Sequence, residues 1–517
     1  MTTSPDVFQK IVSHTKEHGF IFQSSELYDG LGAVYDYGPL GVLMKNNLRE
    51  LWWTSMVRLQ DNIVGLDAAI LMHPQVWKAS GHIDAFNDPL IDNKDSKKRY
   101  RADVLIEEFI EKLEQKSQKE TDKKATKEGW SVDSDEYQRF LKGNRDAKKA
   151  QETQEKFSVA MENNDMVALK SLIEECGITC PESGTRNWTD VRQFNLMFKA
   201  QLGALAEEST DIYLRPETAQ GIFVNFLNVQ KSSRMKVPFG IAQTGKAFRN
   251  EIIARQFIFR MREFEQMEMQ YFVKPGTQQQ WYAYWKSERL KWHATLGLGV
   301  GKIRTHVHEK LAHYADAAED LQFQFPFGFK ELEGIHSRTD FDLKQHQELS
   351  GRKLQYFDPE ENASYLPYVV ETSIGLDRLF LAHLCDAFTE ENVPSGNGSE
   401  ETRTVLKLHP LVAPVKVAIF PLVKKDGLPE IAQNLLNDLK YNFQVTYDEK
   451  DAVGRRYRRQ DAKGTPFGIT IDYDTLSDEA VTIRDRDSML QTRVPLVQVK
   501  DWITKSLSLQ SYFKESK

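Results

Sequence analysis

The run RMREFEQMEMQYFV at 260–273 restricts the fold more than any other stretch. Alternate side chains of a strand share a face, so Arg262, Phe264, Gln266 and Glu268 point one way and Met267, Met269 and Tyr271 the other. One face is apolar and fit for a core. The other carries a guanidinium, a ring, an amide and a carboxylate. KAFRNEI (246–252) precedes it, with Arg249 and Glu251 on one side of a strand of their own. Other strands are expected at 68–74 (AAILMHP), 211–215, 239–249 and 366–374. Strands joined by such long excursions predict a mixed or antiparallel sheet rather than regular βαβ winding, and hence an α+β class.

An antiparallel hairpin of 246–252 and 260–273 brings Arg249 and Arg262 to one surface, beside a loop with Arg255 and Arg260. Guanidinium groups so placed can bind a polyphosphate by charge-assisted hydrogen bonds, with Phe264 available to stack on a purine. A surface salt-bridge ladder accounts for the same charges equally well. The second element is YLPYVVETSIGLDRLFLAHL (365–384), where Glu371 and Ser373 share one face of a strand. Gly375 then allows a tight turn into an amphipathic helix with Arg378 in its first turn, where free backbone N–H groups already attract anions.

Residues 36–60 read as a long amphipathic helix begun after Pro39. Half of residues 91–150 are Asp, Glu, Lys or Arg, against 28% of the chain, which predicts solvent-exposed helices forming an insertion. The polar stretch 390–403 reads as a linker. Beyond it, strands at 415–422, 443–448, 467–473 and 480–484 alternate with helices at 428–440 and 498–506, a separate α/β domain. The expected division is 1–110 and 186–405 for a core in two parts, 111–185 for the insertion and 406–517 for the last domain. Three cysteines (Cys176, Cys180, Cys385) are too few for a disulfide framework and fit a reducing compartment. No signal-like leader and no long apolar run stands in the sequence, so the cytoplasm is expected, without membrane contact. A net charge of −7 leaves room for a local basic face, for which GRRYRRQDAKG (454–464) is the candidate.

FRNE, then FRMREFEQMEMQYF (259–272), then GLDR at a helix start, with AAILMHP upstream, together resemble the signature motifs of class II aminoacyl-tRNA synthetases. GFIFQSSELYDGLGAVYDYGPLG (19–41), LRPETAQGIFVNF (214–226), FRMREFEQMEMQYF (259–272), ELEGIHSRTDFDL (331–343), VVETSIGLDRLF (369–380) and GRRYRRQDAKGTPFGITID (454–472) resemble the glycine enzyme of the homodimeric bacterial and eukaryotic type. The resemblance implies an antiparallel sheet with flanking helices, a charged helical insertion and a C-terminal anticodon-binding domain. It implies a ligase that makes glycyl-adenylate from glycine and ATP with Mg²⁺, then glycylates tRNA(Gly), as a homodimer. Diadenosine tetraphosphate synthesis is a permitted side reaction.

By the same resemblance Arg249 and Arg378 are catalytic, holding the α- and γ-phosphates. ATP contacts would come from Arg249, Asn250, Glu251, Phe259, Arg260, Met261, Arg262, Glu263, Phe264, Glu331, Leu332, Gly375, Leu376, Asp377 and Arg378. Glycine would lie among Arg101, Glu217, Phe264, Glu265, Gln266, Met267, Glu268, Arg338, Glu371, Thr372, Ser373, Ile374 and Gly375. Arg455, Arg456, Arg458 and Arg459 would meet the anticodon. Many relatives carry cysteine pairs where this chain has Asn93, Ser96 and Ser183, and only Cys180 matches, so no zinc is expected. A catalytically dead synthetase-like binding module, and a class II enzyme for another amino acid, are the competing readings. The retained arginines and carboxylates count against the first, RPETAQGIF with ETSIGLDR against the second.

Overall fold

A computed structural model describes residues 5–203, 209–251, 256–299, 301–308, 311, 315–394 and 400–514, which leaves Arg255 outside the described residues. The chain forms two compact units. One is Met1–Ser80 with Phe198–Arg249 and Ala254–Lys517, and the other is Gly81–Met197 with Asn250–Ile253.

The first unit is built on seven strands: β1 (Ile63–Gly65), β2 (Phe239–Phe248), β3 (Glu263–Val273), β4 (Ile303–Val307), β5 (Ala317–Phe325), β6 (Gly328–Thr339) and β7 (Tyr368–Gly375). Their order is β4-β5-β6-β7-β3-β2-β1. Only the β1–β2 pair is parallel. The alternation in β3 does what it predicts: Met267, Met269 and Tyr271 are buried in one core with Ile374, Leu376 and Leu379. Against that face lie α1 (Pro39–Trp53), α3 (Gln278–Thr295) and α4 (Leu376–Ala387). α1 starts with Pro39 at its first position, where a missing N–H costs nothing, and buries Met44, Leu48, Leu51 and Trp52.

The opposite face is only partly covered. α2 (Ala219–Ser232) packs Phe223 and Phe226 onto Phe239 and Phe272 at one end of β2 and β3. Each phenylalanine buried this way contributes about 1.5–3 kcal/mol, enough to fix α2 over this end of the sheet. The rest of the face, from Glu268 toward Phe264, is left for polar groups.

Residues 68–74 are not the strand expected. Beyond β1, Leu71 forms a single bridge to Leu214. Ala68 donates its N–H to Gln243 Oε1 (2.6 Å) and gives its carbonyl to Arg215 Nη1 (2.8 Å), so side chains satisfy the backbone and no ladder is needed. The close approach depends on Gly221, where a Cβ would lie 2.6 Å from that of Ala68. The β4–β5–β6 strands were not anticipated either.

The C-terminal part of this unit has strands β8 (Val417–Pro421), β9 (Val445–Tyr447), β10 (Phe467–Ile471), β11 (Ala480–Asp485) and β12 (Gln491–Pro495), ordered β9-β8-β10-β11-β12. The last strand is additional to those expected. α5 (Leu428–Leu439) and α6 (Val453–Lys463) precede β9 and β10, and Ile419, Ile469, Ile483, Leu428 and Ile503 are among its core residues.

In the second unit three antiparallel strands (Lys98–Arg101, Asn87–Asn93, Arg192–Asn195) accompany helices Ala102–Glu128, Asp135–Gly143, Arg145–Glu162 and Met166–Cys176. A seam of Leu105, Ile106, Ile110, Phe157, Leu169 and Ile173 holds these charged helices together. No described helix is long and apolar enough to cross a membrane.

Candidate active site

Strand register assembles the site. Glu268 stands opposite Ser373 and Gln243, Gln270 opposite Glu371, and His336 of β6 opposite Glu371 on its other side. On the uncovered face, therefore, Glu268, Gln270, Glu371, Ser373 and His336 are neighbours. Glu371 is 3% exposed and accepts from His336 Nδ1 (2.8 Å), Gln270 Nε2 (2.6 Å) and Arg338 Nη1 (3.2 Å). Arg338 in turn grips Asp342 with two donors, at 2.8 and 3.0 Å. Glu268, equally buried, accepts from the Thr218 hydroxyl. The Thr218 N–H donates to Gln266 Oε1 (3.1 Å), and Glu217 accepts from Gln220 Nε2 (3.0 Å).

Two of these carboxylates are shifted in opposite directions. Burial opposes ionisation of Glu371, but Arg338 and the His336 hydrogen bond outweigh it and hold its pKa below the ordinary range. Glu268 moves the other way: burial raises its pKa, and the charges of Glu371 and Glu217 raise it further. Burial works against a charge on His336, yet its bond to Glu371 leaves its pKa raised.

Toward the other end of the face lie the arginines. Arg249, just past the end of β2, donates Nε to Pro216 O (3.1 Å) and sits over the Phe264 ring, 5.3 Å from its centre. Arg378 donates Nη1 to Glu331 Oε2 (2.9 Å) and sits 4.5 Å from the centre of Phe259. The Arg378 guanidinium chiefly, and Arg249 and His336 further, hold the Glu331 carboxyl below the usual range. The register shifts by one residue between Glu331 and Glu333, leaving Leu332 bulged and buried while Glu331 turns toward Arg378. A bulge at the edge of a site is a common way to re-aim a side chain.

Several predicted residues are placed differently. The side chains of Glu265, Met267, Thr372 and Ile374 lie on the opposite face, so only their backbones can reach the pocket. Glu265 is paired by Arg49 (2.6 and 2.9 Å) and by Lys45 (3.4 Å). Asp377 is likewise buried, taking Lys45 Nζ (2.8 Å), the Tyr37 hydroxyl and the Glu265 N–H (2.7 Å). Met261, Leu332 and Leu376 are core residues. Glu263 pairs with Lys246 at the surface, and Arg262 donates to Gly32 O (3.0 Å). Gly375 ends β7, and Arg260 is half-buried after the turn at Phe257–Phe259. Asn250 and Glu251 belong to the second unit, as does Arg101, which pairs with Asp88 (3.1 Å) and Asp103 (2.6 Å). His336, Gln270, Thr218, Gln220 and Asp342 were missed. RPETAQ and EGIHSRTDFD contain all of them but Gln270, which follows Glu268 by one strand period.

The basic helix α6 also divides. Arg455 is exposed. Arg456 is 3% exposed, and its guanidinium is used on the carbonyls of Asp451 (2.7 Å) and Pro421 (2.5 Å), a correction to its predicted role in RNA contact. Arg459 pairs with Asp448 (2.7 Å) and Asp451 (2.8 Å), and Arg458 is half-buried. Arg456→Ala is expected to destabilise the C-terminal domain by about 3 kcal/mol, by stranding the buried Pro421 carbonyl and emptying the space of a buried side chain. Arg455→Ala should leave stability unchanged and, on the expected RNA contact, lower the salt dependence of RNA binding by about one ion. Thermal melts and filter binding over a salt series distinguish the two.

Among the described residues no group of three or more His, Cys, Asp or Glu is placed to hold a metal by itself. Cys180 instead contacts the Tyr100 hydroxyl (3.2 Å) and Ser96 Oγ (3.4 Å).

Three family models match in succession: a glycyl-tRNA synthetase insertion domain over residues 88–196, the class II tRNA synthetase core domain (G, H, P, S and T) over 198–387 and an anticodon binding domain over 416–506. Curated proteins named glycine–tRNA ligase match from end to end. That of Chlorobaculum tepidum is 51% identical, covering 96% of this chain and 99% of its own length. That of Treponema denticola is 47% identical, with 95% of each covered. Among solved structures, Giardia lamblia prolyl-tRNA synthetase in complex with prolyl-adenylate superposes with a TM-score of 0.58 at 16% identity, over 100% of this chain and 82% of that one. Prolyl-tRNA synthetase of Cryptosporidium parvum, complexed with halofuginone and AMPPNP, gives 0.55 at 12%, over 98% and 76%. At these identities the likeness is one of fold.

Proposed function

The chain belongs to the glycine–tRNA ligases, class II aminoacyl-tRNA synthetases, and we propose that the polar face of its seven-stranded sheet is where glycine is activated. The protein joins glycine to tRNA at the expense of ATP. The observation that carries the site assignment is one surface with two charges: Glu217, Glu268 and Glu371 at one end, Arg249 and Arg378 at the other.

The amino acid's ammonium group lies among the carboxylates and its carboxylate points toward Arg249. Its carboxylate oxygen attacks the α-phosphorus, the bond to the bridging oxygen breaks, and pyrophosphate leaves with the electron pair. Arg249 holds the α-phosphate as charge shifts, Arg378 the γ-phosphate. This chemistry asks for placement and charge stabilisation, which fixed guanidinium groups supply. Glu331, the carboxylate beside both arginines, is an oxygen donor of the kind Mg²⁺ takes when substrate phosphates complete its coordination. Bound there, the ion would neutralise phosphate charge. The terminal adenosine hydroxyl of tRNA(Gly) then attacks the acyl carbon and AMP departs. Attack on the adenylate by a second ATP would give diadenosine tetraphosphate. We place the enzyme in the cytoplasm, as a homodimer. Glycine-dependent exchange of pyrophosphate into ATP tests the reading, and its absence in purified protein would reject it.

The charge states give a pH dependence. Below the raised pKa values, His336 is cationic and Glu268 is neutral. As pH rises through them, His336 loses a positive charge and Glu268 gains a negative one. Both changes favour an ammonium group. The KM for glycine in the exchange reaction is therefore expected to fall with rising pH, and Glu268→Gln should flatten the profile. A KM that rises over the same interval would contradict the assignment.

A further inference from the structure

Residues 407–416 connect the strand Glu400–Leu406 to β8 and have no helix or strand of their own, yet their carbonyls are engaged one after another. Arg486, next to β11, donates to Leu408 O (2.7 Å) and to Gly464 O (2.8 Å). The His409 carbonyl accepts from Val412 N (2.8 Å) and Ala413 N (3.0 Å). Lys416 places its ammonium on Pro410 O (2.9 Å), Leu411 O (2.7 Å) and Ala413 O (2.8 Å). Asn47 of α1 reaches the same segment, its Nδ2 donating to Ala413 O (2.8 Å) and Val412 O (3.3 Å). Val412 and Ala413 are fully buried. A connection between domains ordinarily leaves them free to move. This one is held together by Lys416 at its own end, fastened to the C-terminal domain by Arg486 and by the Lys416 N–H on Gln444 O (2.8 Å), and fastened to the catalytic sheet's helix by Asn47.

The same helix holds the floor of the active site. Lys45 and Arg49 are one turn apart and face Glu265 and Asp377, the neighbours of Gln266 and Arg378. Asn47 lies roughly 200° round the helix from both, on the opposite side. A single element thus braces, from behind the sheet, the strand and helix start that carry Gln266 and Arg378 with one face, and touches the interdomain segment with the other. Rigid elements biased from both ends are the means by which sites couple, and coupling is established only by measuring it.

We propose that Asn47 is a positioning residue for the tRNA-dependent half of the reaction: it locks α1 to the 407–416 segment, so that a tRNA held by the C-terminal domain meets the adenylate in register. The inference rests on the tRNA-charging reading above and goes beyond it. In the full-length enzyme, Asn47→Ala should leave glycine-dependent exchange within about twofold of wild type, because Lys45 and Arg49 are intact. It should lower kcat/KM for full-length tRNA(Gly) about tenfold, the middle of the usual range for coupled sites. A merely structural residue would not separate substrates, so an acceptor-stem minihelix lacking the anticodon is the second readout. Its charging should be unchanged by the substitution, so the advantage of full-length tRNA over minihelix shrinks. Lys416→Met, which loosens the segment from within, should give the same split, and the double variant should lose less than the sum of the singles. Exchange and charging falling together, equal losses on tRNA and minihelix, or no change in either variant would each overturn the proposal. Failure of the wild-type enzyme to charge any tRNA would count instead against the functional reading.

Discussion

Arg378→Ala is expected to slow glycine-dependent pyrophosphate exchange by a factor of about 10²–10³ while the protein stays folded. The guanidinium lies at the first turn of α4, held against Glu331 and the Phe259 ring, and is half-buried. Its loss leaves Glu331 with access to solvent and strands no deeply buried charge, so the stability cost is small. The kinetic cost is not small. A fixed donor aimed at charge that moves in the transition state contributes about 3–4 kcal/mol. The fall should appear in kcat and kcat/KM together, as it does when an interaction is made mainly in the transition state. Arg378→Lys should recover only part of the rate, since an ammonium keeps the charge and loses the planar fork. Arg249→Ala is expected to behave alike. Steady-state exchange with ATP varied is the check. A variant that loses only ATP affinity, with kcat preserved, would mean that Arg378 holds the nucleotide without assisting departure of pyrophosphate.

Glu371→Gln carries the second large effect, on both folding and specificity. The carboxylate satisfies Arg338, His336 and Gln270 inside the sheet, all within 3.2 Å. Neutralising it takes one carboxylate from Arg338, which keeps its bonds to Asp342, and takes from His336 the anion to which it is bonded. Removing one member of a buried, hydrogen-bonded charge group costs about 3–5 kcal/mol. The proposed glycine pocket also loses a carboxylate that Arg338 and His336 keep ionised. An ammonium that has given up its water needs that charge, so kcat/KM for glycine should fall at least about a hundredfold, mostly through KM. The His336 pKa should drop toward or below its ordinary value, because Glu371 is what raises it. Denaturation curves, glycine titrations and the histidine's NMR titration separate the three consequences.

The strand at 260–273 was legible because its two faces differ in chemistry, and alternation converts that difference directly into orientation. The Arg378 helix start was legible from Gly375 and the amphipathic run after it. The face of Glu265 and Asp377 was not taken into account, although alternation contains it for Glu265. Both are charged, and a charged residue in a motif invites a ligand role; here they are partners of Lys45 and Arg49, more than two hundred residues earlier in the chain. Such long-range pairs leave no local period. The strands β4–β6 escaped for a different reason: AAEDLQFQF and GFKELEGIHSRT mix acidic residues into buried positions, and Glu333 sits there only because Arg289 (2.6 Å) and His293 (2.7 Å) answer it. At 68–74 the apolar run signalled burial correctly. Gln243 and Arg215 supply the hydrogen bonds that a sheet neighbour would have supplied. In α6 the four arginines looked equivalent in sequence. Helical geometry then sent Arg456 inward to carbonyls and left Arg455 outside.

The central claim is that the carboxylate cluster and the arginine pair form one adenylating site specific for glycine. Pyrophosphate exchange measured with each of the twenty amino acids in turn tests it most directly. The account predicts exchange with glycine, none above background with alanine, serine or proline, and loss of the glycine signal in Arg378→Ala. Exchange driven by another amino acid, or glycine exchange that survives the loss of Arg378 undiminished, would contradict it.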